Sequence, residues 1–248
     1  MPPTDASADA GPVFVPASAH PRRPGPSGDG QDTLDLRLPD ELLALAAGER
    51  SDATVAVADD LLDHVGAWGP VVTPVGVLQL VPARPDRDLP LITRWMNDPA
   101  VAAFWELSGP PSRTEEHLRT QLTGDGRSVP CVGVLDGTPM SYWEIYRADL
   151  DPLARHYPAR PHDTGVHLLV GGVADRGRGL GSTLLRAVAD LVLDRRPACA
   201  RVVAEPDLRN TPSLCAFLSA GFRFAAEVDL PGKRAALMVR DRTLRHLM

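Results

Sequence analysis

Lysine is almost missing from this chain: of 26 basic residues only Lys233 is lysine, and the rest are arginine. That single lysine lies far from any glycine-rich loop, which excludes a Walker-type phosphate loop, because the motif closes on Gly-Lys-Ser/Thr. Cysteine is scarce as well. Cys131, Cys199 and Cys215 are odd in number, show no C-x-x-C pairing and fall inside apolar strand or helix patterns, so they read as buried free thiols in a reducing cytoplasm rather than a disulfide scaffold. With no histidine beside any of them in sequence, none reads as a nucleophile. Long apolar runs are also absent. No segment approaches the roughly 20 apolar residues of a membrane span, and no charged start precedes an apolar stretch as in a signal peptide. The net charge is −6 with no basic cluster outside Arg176–Arg178, which disfavours nucleic acid and anionic membranes and suits a small cationic partner.

What remains is a chain long enough for one catalytic domain of roughly 150–170 residues plus an added segment. Residues 1–32, rich in Pro, Ala, Gly and Ser, are expected to be a disordered tail. Residues 33–75 carry Leu34, Leu36, Leu42, Leu43 and Leu45, then Val55, Val57, Leu61, Leu62 and Val65, and read as a short extension of amphipathic pieces. Residues 76–248 form the expected domain. Its first half predicts a strand over 77–81, helices over 88–95 and 113–122, and a hairpin pairing 129–135 with 140–146 across Asp136-Gly137-Thr138-Pro139. The second half predicts a strand over 164–170, a helix over 182–196 with Leu184, Leu185, Val188, Leu191 and Val192 on one stripe, and a strand over 201–204. A helix opens at Thr211-Pro212 and ends at Ala220-Gly221, and strands over 222–228 and 235–239 close the chain.

The most informative stretch is Val173-Ala-Asp-Arg-Gly-Arg-Gly-Leu-Gly181, between strand and helix. Gly177, Gly179 and Gly181 allow several backbone N–H groups to face one anion beside the positive end of the following helix. A G-x-G-x-x-G dinucleotide fingerprint fails in both registers. Arg176-x-x-Gly179-x-Gly181 instead resembles the acyl-CoA pyrophosphate loop of the GCN5-related N-acetyltransferase (GNAT) superfamily. The order that follows, helix, strand, Asn-bearing loop and a helix ending in Gly-Phe, is similar to the second half of such a domain.

The resemblance narrows over residues 77–242. Arg94-Trp-Met-Asn-Asp-Pro99, Phe104-Trp105, Met140-Ser-Tyr-Trp-Glu-Ile-Tyr146, Asp163-Thr-Gly-Val-His167 and Glu205-Pro-Asp-Leu-Arg-Asn210 are similar to the siderophore-biosynthesis acyltransferases, most of all those of desferrioxamine-type pathways acting on N-hydroxycadaverine. The resemblance implies an α/β fold with a mixed, splayed central sheet flanked by helices. It also implies a cytoplasmic enzyme of iron acquisition, monomer or homodimer, that transfers an acyl group from acetyl-CoA or succinyl-CoA to an N-hydroxylated diamine or N-hydroxylysine without a metal. His167 would be the base and Asp207 the orienting carboxylate. Acyl-CoA would lie on Val173, Arg176, Gly177, Arg178, Gly179, Leu180, Gly181 and Ser182, and on Asn210, Ser213 and Phe217. The acceptor would lie among Trp105, Glu106, Trp143, Glu144, Tyr146 and Asp163, although strand alternation lets only one of Trp143 and Glu144 face the pocket.

One departure stands out. Many superfamily members carry a tyrosine at the Phe217 position, where its hydroxyl can protonate the departing CoA thiolate. His156 and His162 do not give standard metal-ligand spacing with His167. Two other readings share the loop: an aminoglycoside-type or other small-amine N-acetyltransferase, and a non-catalytic acyl-CoA-binding module, which would be expected to lose His167 and Asp207.

Overall fold

A computed structural model of the chain describes residues 62–245. Eight strands form one sheet in the order β1-β2-β3-β4-β5-β6-β8-β7. These are β1 (Val71–Thr73), β2 (Gly76–Pro82), β3 (Ser128–Leu135), β4 (Thr138–Arg147), β5 (Thr164–Val170), β6 (Arg201–Ala204), β7 (Arg223–Leu230) and β8 (Lys233–Asp241). Every neighbouring pair is antiparallel except β5 and β6. Five helices stand among the described residues: α1 (Pro85–Met96), α2 (Pro99–Trp105), α3 (Pro111–Leu122), α4 (Leu180–Arg195) and α5 (Thr211–Ser219). The α/β architecture with a mixed sheet is the one the family resemblance implies.

Strand alternation sorts β4 between two cores. Trp143 and Ile145 face the cluster containing Leu184, Leu185, Val188 and Val192 of α4, the predicted stripe. Tyr142 faces the other way, onto Ile92, Trp95 and Met96 of α1 and Leu118 of α3. Two elements escaped prediction. Strand β1 is only three residues long, and α2 begins where Asp98 caps it through Ala100 N (3.0 Å). From the end of the expected extension, Leu62, Val65 and Trp68 are buried in the main core, and β1 pairs with β2. The predicted tail, residues 1–32, and most of the extension lie outside the described residues. Cys131 and Cys199 are buried as expected, whereas Cys215 is exposed on α5, so the burial expected of it was wrong.

One irregularity positions the site. β5 pairs with β6 only at Thr164–Val202 and Gly165–Val203, although β5 runs on to Val170. Beyond Gly165 the strands part. The segment after β6 stays with β8 instead, through Leu208 N to Arg234 O (3.0 Å) and Ala236 N to Pro206 O (2.9 Å). A V-shaped gap therefore opens between Val166–Leu168 on one side and Ala204–Asp207 on the other.

Candidate active site

Two clefts meet at His167. The smaller, about 260 Å³, fills the gap between β5 and β6 and is lined by Trp105, Leu168, Asp207, Asn210, Ser213, Phe217 and Lys233 among others. The larger, about 630 Å³, opens between α3 and β4 over Arg113, Glu116, Gln121, Arg127, Tyr146 and Asp151. His167, Glu144 and His117 line both.

His167 donates from Nδ1 to Glu144 Oε2 (2.8 Å) and from Nε2 to Glu205 Oε1 (2.5 Å). Each carboxylate is held in turn. Glu144 Oε1 accepts from His117 Nε2 (2.6 Å), Gln121 Nε2 (2.8 Å) and the Tyr142 hydroxyl (3.0 Å), while Gln121 is fixed by Ser128 Oγ (2.7 Å). Glu205 Oε2 accepts from the Tyr146 hydroxyl (2.7 Å), and Lys233 Nζ donates to its main-chain oxygen (2.8 Å). Gly165 makes this approach possible, since a Cβ there would fall 2.0 Å from the Tyr146 ring.

The charges follow from this geometry. Burial opposes a charge on His167, but the negative charge of Glu205 and the hydrogen bonds to both carboxylates outweigh it and raise the ring to about 10. Burial likewise opposes the charge on Glu205, yet the neighbouring imidazolium prevails and draws the carboxyl down to about 2. Hydrogen bonds from His117 and His167 overcome burial at Glu144 and hold it well below the usual carboxylate range. At neutral pH the centre is an imidazolium clamped between two carboxylates, and its ring must lose a proton before it can accept one.

The glycine-rich loop follows β5. Gly177 (φ 71°) and Gly179 (φ 77°) adopt left-handed backbone, and a Cβ on either would meet nothing within 4 Å, so the loop presents an open main-chain surface at the start of α4. That surface suits an anion. Val173 and Arg178 are exposed, and Ser182 Oγ donates to Gly179 O (2.8 Å). Arg176 is a correction: its guanidinium turns inward to Asp98 (2.7 Å), Val170 O (3.0 Å) and Gly171 O (3.0 Å), fastening the loop to β5 and α2 rather than facing a phosphate. Asn210 caps α5 through Ser213 N (3.2 Å), and Phe217 packs edge-on against Phe222.

Other predicted residues divide. Trp105 lines the smaller cleft and meets His167 and Tyr142 edge-on, and Tyr146 lines the larger. Of the alternating pair, Glu144 faces the clefts and Trp143 does not: its indole is fully buried on the opposite face, bonded to Ser141 Oγ (2.9 Å). Asp163 is also wrong as an acceptor contact, being completely buried and paired with Arg201. Glu106 is exposed, with φ 54° at the end of α2, and lines neither cleft. Asp207 lines the smaller cleft, but its carboxylate accepts from Arg209 N (2.7 Å) and the Arg209 guanidinium (2.7 Å), so Glu144 and Glu205, not Asp207, hold the His167 ring. Glu205 and His117 were not singled out from sequence. Among the described residues no group of three or more His, Cys, Asp or Glu is arranged to hold a metal, and no helix is long and apolar enough to cross a membrane.

Residues 84–230 match the family described as acetyltransferase (GNAT) domain. The lysine N-acyltransferase MbtK of Mycobacterium tuberculosis is 37% identical over 204 residues, covering 77% of this chain and 93% of that protein. The N(6)-hydroxylysine O-acetyltransferase of Escherichia coli is 39% identical over 160 residues, 64% of this chain and 50% of that protein. Among solved structures, an uncharacterized protein from Bacillus halodurans superposes with a TM-score of 0.68 at 34% identity, covering 72% of this chain and 92% of that one.

Proposed function

We propose that this chain, which belongs to the GNAT acetyltransferase family and is an acyl-CoA-dependent N-acyltransferase of its siderophore-biosynthesis branch, forms a hydroxamate on an N-hydroxylated diamine or N-hydroxylysine. The observation that carries this reading is the position of His167, clamped between Glu144 and Glu205 where the two clefts meet. The smaller cleft, walled by Ser213 and Phe217 of α5, is assigned to the pantetheine arm of acetyl- or succinyl-CoA. Gly177 and Gly179 offer their backbone to its pyrophosphate. The larger cleft is assigned to the acceptor, with Glu116 and Asp151 placed to meet a distal ammonium and Arg113 and Arg127 to meet a carboxylate.

Once the His167–Glu205 pair has released its resting proton, it takes the proton from the acceptor nitrogen as that nitrogen attacks the thioester carbonyl. A hydroxylamine suits the site because it is already largely neutral at pH 7, so the enzyme need not first strip an ammonium. The buried free thiols Cys131 and Cys199 fit a reducing, cytoplasmic setting, and the hydroxamate product is an iron-chelating group, which would place the step in iron acquisition. A second reading, acylation of an unhydroxylated lysine side chain, is supported by the name of the mycobacterial relative.

Release of CoA thiol measured with N-hydroxycadaverine, N6-hydroxylysine, lysine and an aminoglycoside as acceptors tests both. Turnover confined to the two hydroxylamines supports hydroxamate formation. Preference for lysine favours the second reading, and turnover of the aminoglycoside alone would refute both.

A further inference from the structure

The acyl transfer proposed above leaves a thiolate on the donor side, and the residues of the smaller cleft differ in what they can offer it. His167 and His117 line both clefts and bind Glu144. Lys233, Asn210, Ser213 and Phe217 line only the smaller one. Phe217 has no proton to give, and a serine hydroxyl is a far weaker acid than an ammonium. Lys233 is the one cation in this lining besides the histidines.

Its identity adds a second observation. Every other basic position in the chain that is not histidine is arginine, yet this one is lysine. A guanidinium keeps its proton throughout the physiological range, whereas an ammonium can release and regain one. The turn at Pro231-Gly232, with Gly232 at φ 85°, starts β8 so that Lys233 reaches back across the gap. There its Nζ is anchored on Glu205 O (2.8 Å) and lies 3.7 Å from Glu205 Oε1, with a third of the side chain (32%) still exposed. Glu205 Oε1 is in turn bonded to His167 Nε2 (2.5 Å).

We propose that Lys233 is a catalytic residue that protonates the CoA sulfur as the thioester breaks, an inference that rests on the acyl-transfer reading. The step balances. The N–C bond forms and the C–S bond breaks, with its electron pair leaving on sulfur. The acceptor's N–H proton passes to the His167–Glu205 pair, a Lys233 N–H proton passes to sulfur, and the pair then returns a proton to the Lys233 amine. The net change is one proton moved from nitrogen to sulfur, with no outside reagent.

The test compares acyl donors whose leaving thiols differ in acidity: acetyl-CoA, and the acetyl thioester of nitrothiophenol, whose thiolate needs no proton. Lys233→Gln is expected to lower kcat at saturating acetyl-CoA about 10- to 100-fold with the KM for acetyl-CoA nearly unchanged, and to lower turnover of the nitrothiophenyl ester less than about threefold, a pattern that neither loss of structure nor loss of donor binding would produce. Lys233→Arg, which keeps the charge and the carbonyl contact, is expected to stay defective with acetyl-CoA. Equal losses for both donors, or full activity in Lys233→Arg, would overturn the proposal while leaving acyl transfer standing. Failure of the unmodified enzyme to acylate any amine or hydroxylamine from either donor would overturn both.

Discussion

Two buried acidic centres lie a few residues apart beside β5 and β6, one where the strands pair and one where they part, and they are neutralised in different ways. At the start of β5, Asp163 is completely buried and accepts from Arg201 Nε (3.0 Å), the Tyr157 hydroxyl (3.1 Å) and Arg160 N (2.9 Å). Four residues further along, past the point where the strands part, Glu144 and Glu205 close on His167, whose side chain remains 34% exposed. Arginine cannot surrender its proton, and the Asp163–Arg201 pair opens onto neither cleft, so it can serve only to pin β5 to β6. Histidine can exchange its proton, and it faces both clefts. On the function proposed above, the same acid chemistry is structural where the counter-ion is fixed and sealed, and serves the reaction where the counter-ion is exchangeable and open.

The sharpest way to break this contrast is to swap the consequences. Asp163→Ala leaves Arg201 buried without its carboxylate and is expected to cost about 3–5 kcal/mol of stability in chemical denaturation, with little change in turnover per folded molecule. His167→Ala is expected to act on the reaction, lowering turnover per folded molecule by roughly 10- to 1,000-fold with acyl-CoA affinity almost unchanged by calorimetry, whatever stability it also loses by leaving Glu144 and Glu205 without their counter-charge. Gly179→Asp places a carboxylate on the open loop surface in a strained left-handed position, so acyl-CoA binding should weaken by about tenfold or more while the melting temperature moves little. Asp207→Asn, which leaves the clamp around His167 intact, should reduce turnover by less than about tenfold; a loss as large as that of His167→Ala would return the orienting role to Asp207.

The contrast also reaches stability against pH. The folded His167 value is raised from 6.5 to about 10, so its contribution is complete below 6.5 and lost as pH rises through about 10. For Glu205 the folded value is lowered from 4.5 to about 2, so its contribution is complete above 4.5 and lost as pH falls through about 2. The cluster therefore stabilises most between 4.5 and 6.5, and His167→Gln should flatten the alkaline decline seen in thermal melts at successive pH values.

The distance over which each cause acts decided what the sequence could reveal. β5 and β6 are predicted to the residue because their limits are set by local apolar runs, and the stripe of α4 is predicted because helical spacing is local. The anion loop is legible for the same reason, its left-handed positions being written as glycine. The partners of His167 are not, because Glu205 is 38 residues away in sequence and meets the ring only where β5 and β6 part. Alternation predicts that Trp143 and Glu144 take opposite faces, but which faces the cleft depends on α4 claiming the indole for its core. Asp163 and Arg176 read as site charges because their neutralising partners, Arg201 and Asp98, lie 38 and 78 residues away.

The central claim, that His167 handles the reaction's proton from between two carboxylates, is tested most directly by the pH profile of kcat/KM in the unmodified enzyme and in Glu205→Gln. With both carboxylates in place, activity should climb with pH toward a midpoint near the ring value of about 10, and removing one carboxylate charge should shift that midpoint downward, toward 6.5. A midpoint that stays where it was in Glu205→Gln, or an unmodified enzyme already at its plateau by neutral pH, would contradict the account.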